Sequence, residues 1–309
     1  MRRMHPIALA VLLAAAGNLY ADNSAELQQT GDSNSATVDQ SGVLNEAVIS
    51  QHGNQNTASI YQGEIAESNQ ADIEQRGDGN STAVHQAQES YFSTVSVYQQ
   101  GSGNLAEVEQ TWRVNDLQIS SIGNDNLVSA TQTGFASAEA SQVGNDNVLT
   151  FVQNGSFRGS TLAVYQVGDE NLADVQQDDG NHLQLMQTGT LNVAQIQQLG
   201  YFNELDFSQS GDENLLTVVQ SGRGQSIQGS STGSGNRIDI AQAFEGNEAA
   251  VLQNGTDNMA SINQSAAYSE AAISQLGAAN QASILQSAEG MSAIIQQAGT
   301  GNTATITQQ

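Results

Sequence analysis

The side chains able to do acid–base or metal chemistry are plentiful in this sequence but unorganised. There are 32 Asp and Glu residues against 7 Lys and Arg and 4 His, and there is no cysteine. General acid–base catalysis needs two groups held over one substrate at a set separation. A metal needs three or four converging ligands. His52, His85 and His182 fall on separate segments with no partner pattern, and no carboxylate pair stands out from the rest. Turn acids such as Asp125, Asp146, Asp169 and Asp212 lack the glycine–aspartate nonapeptide spacing of calcium-binding repeats. The missing cysteines exclude disulfides, thiolate metal sites and cysteine nucleophiles. No enzyme activity, catalytic residue, cofactor or metal site is expected. A formal charge of −25 excludes a basic surface for nucleic acid as well.

The side chains that do recur at fixed spacing are amides, and their chemistry is hydrogen bonding. Asparagine appears at Asn34, Asn56, Asn80, Asn104, Asn126, Asn147, Asn171, Asn192, Asn214, Asn236, Asn258, Asn280 and Asn302, 13 copies spaced 21, 22 or 24 residues apart. Six residues after each comes a glutamine: Gln40, Gln62, Gln86, Gln110, Gln132, Gln153, Gln177, Gln198, Gln220, Gln242, Gln264, Gln286 and Gln308. Three residues before each comes a glycine: Gly31, Gly53, Gly77, Gly101, Gly123, Gly144, Gly168, Gly189, Gly211, Gly233, Gly255, Gly277 and Gly299. An amide both donates and accepts, so identical amides set one above another bond as a ladder. The chemistry of this chain is stacking.

Elements that could position such ladders follow from the residues between. Four residues after the asparagine stands Val or Ile in 11 of 13 copies, and two after it Ala in eight. Asn, Ala, Val or Ile, and Gln share one parity, which is strand periodicity with one face inward. Between these strict halves lie tolerant halves such as Asn45-x-Ala47-x-Ile49-x-Gln51, where the glycine is often missing, as at Trp112, Phe244 and Ala266. The glycine is expected between strands, in a turn needing positive φ or a close backbone approach. One 22-residue unit holds about two Val or Ile worth roughly 1.5–3 kcal/mol each, against roughly 1–2 kcal/mol of backbone entropy per residue. A single rung cannot fold. The sequence therefore predicts an all-β, two-sheet β-solenoid of about 13 strand-turn-strand rungs, cross-β on assembly.

Met1 to Ala21 reads as a secretory signal peptide, with Arg2 and Arg3 before a short apolar run from Ile7 to Ala16. Residues 22–28 form a short N-terminal segment and residues 29–309 the solenoid. After cleavage, five arginines face 32 acids, a charge of −27, with neither lysine nor proline left.

The repeat resembles that of the curlin family, the subunits of bacterial curli fibres, whose pattern is Ser-x5-Gln-x-Gly-x-x-Asn-x-Ala-x3-Gln. Ser93, Gln99, Gly101, Asn104, Ala106 and Gln110 match it fully, as do Ser269, Gln275, Gly277, Asn280, Ala282 and Gln286. The resemblance implies a secreted functional amyloid of biofilm matrix and surface adhesion. It also implies self-polymerisation, an outer-membrane secretion channel and a nucleating partner subunit, with the major-subunit role favoured. A monomeric acidic solenoid acting as a surface adhesin is the alternative. Physics points to the polymer, because lysine, proline and capping units are the usual blocks to strand-edge joining and none is found in the mature sequence. The residue after the strict asparagine is aliphatic six times in succession: Leu105, Leu127, Val148, Leu172, Val193 and Leu215. These would form an outward stripe for lateral contact or adhesion. Trp112 and Arg113 interrupt the turn pattern once, with no function assigned.

Overall fold

The computed structural model describes residues 23–63 and 65–309, so the expected signal peptide lies outside the described residues. The period-2 segments form 26 strands, and no helix occurs among the described residues. Odd-numbered strands pair in parallel into one 13-stranded sheet and even-numbered strands into another, each successive pair of strands completing one turn of a β-solenoid. The chain forms two compact units, within residues 1–145 and 146–309.

The first unit holds β1 (Ser24–Thr30), β2 (Ser35–Gln40), β3 (Glu46–His52), β4 (Thr57–Gln62), β5 (Gln70–Asp78), β6 (Ser81–Gln86), β7 (Thr94–Ser102), β8 (Leu105–Thr111), β9 (Asp116–Asn124), β10 (Leu127–Thr133) and β11 (Ala136–Asn145). Its register places like over like: Ala47 beside Ala71, Ile49 beside Ile73, Gln51 beside Gln75. These inward residues are buried, while Glu46, Gln70 and Asp72 on the opposite parity are exposed. The first strand begins at Ser24, where an N-terminal segment running to residue 28 was expected. Ser24 to Gln28 pair residue by residue with Glu46 to Ser50 and so belong to the sheet.

The second unit holds β12 (Val148–Asn154), β13 (Ser160–Asp169), β14 (Leu172–Gln177), β15 (His182–Thr190), β16 (Val193–Tyr201), β17 (Glu204–Asp212), β18 (Leu215–Arg223), β19 (Ser226–Ser234), β20 (Arg237–Glu245), β21 (Glu248–Thr256), β22 (Met259–Gln264), β23 (Glu270–Ala278), β24 (Gln281–Gln286), β25 (Ser292–Thr300) and β26 (Thr303–Gln308). Here the core is graded by size. Leu183 and Leu205 stack on one inward row, followed by Ile227 and then Ala249, Ala271 and Ala293.

The recurrent glycine sits differently from expectation. Gly101 lies within β7, in register with Gly77 and Gly123, rather than between strands. Its φ is +122°, and a Cβ there would stand 1.9 Å from the carbonyl oxygen of Gly123. Both reasons for glycine thus apply at once, and the missing Cβ is what lets pairing continue through the bend. The tight turn follows: the residue just before each strict asparagine, from Ser33 and Gln55 to Ala279 and Gly301, is left-handed in every copy.

One tolerant half carries an oversized inward residue in a compensated way. Phe207 is fully buried at the large inward position of β17, and the rung above carries Gly229 in register. A Cβ on Gly229 would lie 2.5 Å from the Phe207 ring and 2.4 Å from the Val251 carbonyl oxygen. Gly229→Ala should therefore destabilise by about 1–3 kcal/mol. Adding Phe207→Leu should recover part of that loss but not all, since the backbone clash remains. Urea unfolding of the two single variants and the double variant checks this, because strict additivity would contradict the contact.

Candidate functional site

The surfaces through which one rung holds the next are the candidate functional site, and they are built from the inward amides. In the first unit, Asn104 donates its backbone N–H (3.1 Å) and Nδ2 (2.9 Å) to Oδ1 of Asn80, and Nδ2 also donates to the Gly123 carbonyl at 2.9 Å. Its own Oδ1 then accepts from the N–H and Nδ2 of Asn126. In the second unit Asn214 repeats the set with Asn192 below and Gly233 above, at 2.9–3.2 Å. The glycine carbonyl that forbids a Cβ is thus the same atom that receives the asparagine. Glycine and asparagine are two halves of one joint.

The strict glutamines make a second ladder at the other end of the even strands. Gln86 donates to Gln110 at 2.9 Å and Gln110 to Gln132 at 2.8 Å, while Gln110 also reaches across to the Thr94 carbonyl of the odd sheet at 3.0 Å. Each amide therefore ties rung to rung and sheet to sheet. Every strict asparagine and glutamine from Asn56 to Gln286 is buried, while Asn34, Gln40, Asn302 and Gln308 on the outermost described strands are not.

Further ladders run through glutamines that the sequence places in the repeat, such as Gln51 and Gln99, but that were not counted among the stacking residues. Gln51, Gln75 and Gln99 bond in series at 2.8–2.9 Å on the odd sheet, as do Gln166, Gln187 and Gln209 at 2.9 Å. Their signal was available, since each stands two residues before the recurrent glycine. One break explains itself. Ser231 occupies the ladder position between Gln209 and Gln253, and its hydroxyl turns to Asn214 Oδ1 instead. The Gln253 Oε1 is left buried with no partner. Ser231→Gln should supply the missing donor and stabilise by about 1–3 kcal/mol. Thermal and urea unfolding check the sign; a destabilised variant would contradict the ladder assignment.

The outward aliphatics lie where the register predicts. Leu105 pairs with Leu127 in the first unit, and Val148, Leu172, Val193 and Leu215 run side by side in the second. All six are half-buried, each partly covered by its neighbours along the row. More exposed apolar groups stand at or beside the tolerant turns: Leu44, Ile65, Phe92, Trp112, Phe202, Phe244 and Tyr268, all with positive φ, of which the sequence analysis named Trp112 and Phe244 as positions lacking the glycine. Arginines join them there. Arg113 lies 5.5 Å from the Tyr91 ring, and Arg158 lies 4.5 Å from Tyr201. The strict turns differ, carrying acids such as Asp78, Asp125, Glu170 and Glu213 and neither arginine nor aromatic residue.

Charge acts on the outer faces. Asp72 on β5 has its carboxyl pushed above the ordinary 3.8 by crowding that removes water, with Glu74 and Glu46 adding like charge. Asp179 goes the other way. Partial burial alone would raise it, but N–H groups of Ser156, Arg158 and Phe157 and the Ser156 hydroxyl donate to it and bring it below 3.8. A raised folded-state value means that ionised Asp72 costs stability at neutral pH, and the cost fades as pH falls through that value. Asp72→Asn should accordingly raise the unfolding midpoint at pH 7 and leave it unchanged near pH 3. An equal gain at both pH values would refute the charge origin.

His52, His85 and His182 all lie on outward faces, and His85 stacks on Tyr61 at 4.7 Å. The curlin associated repeat model matches residues 21–42, 31–63 and 233–265. This is a curlin-repeat protein. The matched stretch 233–265 contains Gly233, Asn236 and Gln242, the strict joint described above, followed by Gly255, Asn258 and Gln264 of the next rung. No curated protein matches the chain at significance. Among the described residues of this curlin-repeat protein, no helix is long and apolar enough to cross a membrane.

Proposed function

We propose that the protein is a secreted structural subunit that polymerises, rung on rung, into extracellular curli-like amyloid fibres of biofilm matrix and surface adhesion. The observation that carries this reading is the repeated joint. Within each unit, rung meets rung through the same glycine carbonyl, asparagine and glutamine set, so one copy's edge offers another copy the surface its own rungs already use. The outermost described strands keep those residues: Asn34 just before β2 and Gln40 within it, and Gly299, Asn302 and Gln308 beside and within β25 and β26. Parallel strands with no lysine or proline carry none of the usual blocks to edge pairing. The curlin match supports the same reading and, with it, export through an outer-membrane channel and start-up by a nucleating partner subunit. The role is structural rather than catalytic.

Gly299 provides the test. A Cβ added there would meet only Asn302 Nδ2 at 3.5 Å, whereas one on Gly277 would stand 2.0 Å from the Gly299 carbonyl oxygen. In a polymer built on the same joint, the next copy would bring such a carbonyl over Gly299. Gly299→Ala should leave the soluble chain folded, at a strain cost of about 1–2 kcal/mol. It should slow fibre elongation about tenfold or more, the equivalent of 1.4 kcal/mol. Thioflavin kinetics and electron microscopy of the mature chain give the readout. Wild-type protein that stays monomeric would remove the proposal, and unaltered growth of the variant would remove this mode of joining.

A further inference from the structure

The first unit carries an open cleft at its tolerant turns that the stacking joint does not use. Ile65 comes from the turn after β4, Gln88 and Glu89 from the turn after β6, Thr111 and Trp112 from the end of β8 and the residue beyond it, and Thr133 from the end of β10. Together they border a space of about 660 Å³. The turns are fixed to one another. The Trp112 N–H donates to the Gln88 carbonyl at 3.4 Å, Tyr91 N–H to the Trp112 carbonyl at 3.1 Å, and Gly134 N–H to the Thr111 carbonyl at 3.1 Å. The hydroxyls of Thr111 and Thr133 bond at 3.3 Å. The cleft is therefore formed before any ligand arrives.

Its residues are held at a cost that the fold does not repay. Ile65, Gln88, Glu89 and Trp112 have φ of +62°, +53°, +65° and +65°. That conformation is strained for any of them, and most of all for a β-branched isoleucine. Trp112 stands three residues before the inward Asn115, where other tolerant halves carry Gly42, Gly200 and Gly222, all with positive φ. Glycine would fit the backbone freely, yet the chain places an indole there and leaves it 43% exposed, with Ile65 61% exposed beside it. Neither the strain nor the wet apolar surface stabilises the unit. Strain joined to exposure recurs at other tolerant turns; here the turns also enclose a space, and that combination suits this surface to a ligand.

The lining says what kind of ligand. Beside the indole and isoleucine stand an amide, a carboxylate and two hydroxyls. An apolar peptide would leave the Gln88 amide and the Glu89 carboxylate desolvated without partners, while the two hydroxyls have only each other. A sugar ring meets both needs, its C–H face against the indole and isoleucine and its hydroxyls toward Gln88, Glu89, Thr111 and Thr133. Successive turns repeat at the strand spacing of about 4.8 Å, so an extended pyranose chain advances by about one ring per rung. Glu89 in the cleft and a charge of −27 on the chain after removal of residues 1–21 repel polyanions. We propose that this cleft binds an uncharged polysaccharide chain.

Trp112 is the single tryptophan of the sequence, so its emission reports on the cleft alone. Soluble full-length chain is titrated with cellohexaose and maltohexaose, with polygalacturonate as the anionic comparator. A saturable emission change with either neutral sugar is expected, and none with the polyanion. Calorimetry on Trp112→Ala should show affinity about tenfold lower. Gln88→Ala, which changes only an exposed side chain, should lose about the same while keeping the wild-type melting curve. Unchanged emission with both neutral sugars up to about 10 mM, or polygalacturonate binding as tightly as they do, would overturn the assignment. The titration reads soluble chain, so its outcome is separate from that of the fibre assay.

Discussion

A buried amide must have its donors and acceptor met, and this requirement shapes the whole chain. Asparagine and glutamine are poor core residues unless every polar atom finds a partner. Here they find partners in the identical amides directly above and below, together with backbone carbonyls of the facing sheet. Asn104 illustrates the consequence, since its single Nδ2 serves Asn80 on one side and Gly123 on the other. Parallel in-register stacking is the arrangement that repeats this geometry without limit. A shift of one residue would turn the amides outward and the Ser and Thr rows inward. The ladders thus fix register as well as stability, while Ala, Val and Ile only fill the narrow space between the sheets.

The same requirement explains which part of each rung can vary. Between the strict glycine and asparagine there are always two residues, because the asparagine must reach the carbonyl of the next glycine. The tolerant turns carry no such fixed reach. The gap from β4 to β5 spans seven residues, from β16 to β17 two, and the turn length changes freely between them. The 21-to-24-residue spread in spacing is taken up there. Where length is free, side-chain identity is free too, and it is on these turns that aromatic residues and arginines gather.

Much of this was legible in the sequence because the repeat samples one environment many times. Parity alone placed Asn104, Ala106, Val108 and Gln110 on the inward face of β8, and all four are buried. What could not be read depended on contacts made between rungs. The glycine was expected in a turn, yet Gly101 lies inside β7, because a carbonyl 1.9 Å from its absent Cβ belongs to a residue 22 positions later. The orphaned Gln253 Oε1 reflects a serine one rung away. Left-handed backbone at Ile65 and Trp112 was hidden for another reason: neither residue type signals positive φ, so only the stacked turns reveal it.

Ser231 and Gly229 show how much irregularity the stacking tolerates. Both lie on β19, which has lost the ladder glutamine and the large inward residue at once, and Phe207 from the rung below fills the second gap. A globular core would relax around such a defect in all directions. In a solenoid the neighbours above and below are held in register by their own amides, so the defect stays local and leaves an unpaired oxygen instead of a rearranged sheet. Stability in such a chain is close to a sum over joints. Weak joints such as this one therefore mark where it would open first, since the rungs on either side retain their bonds when it does.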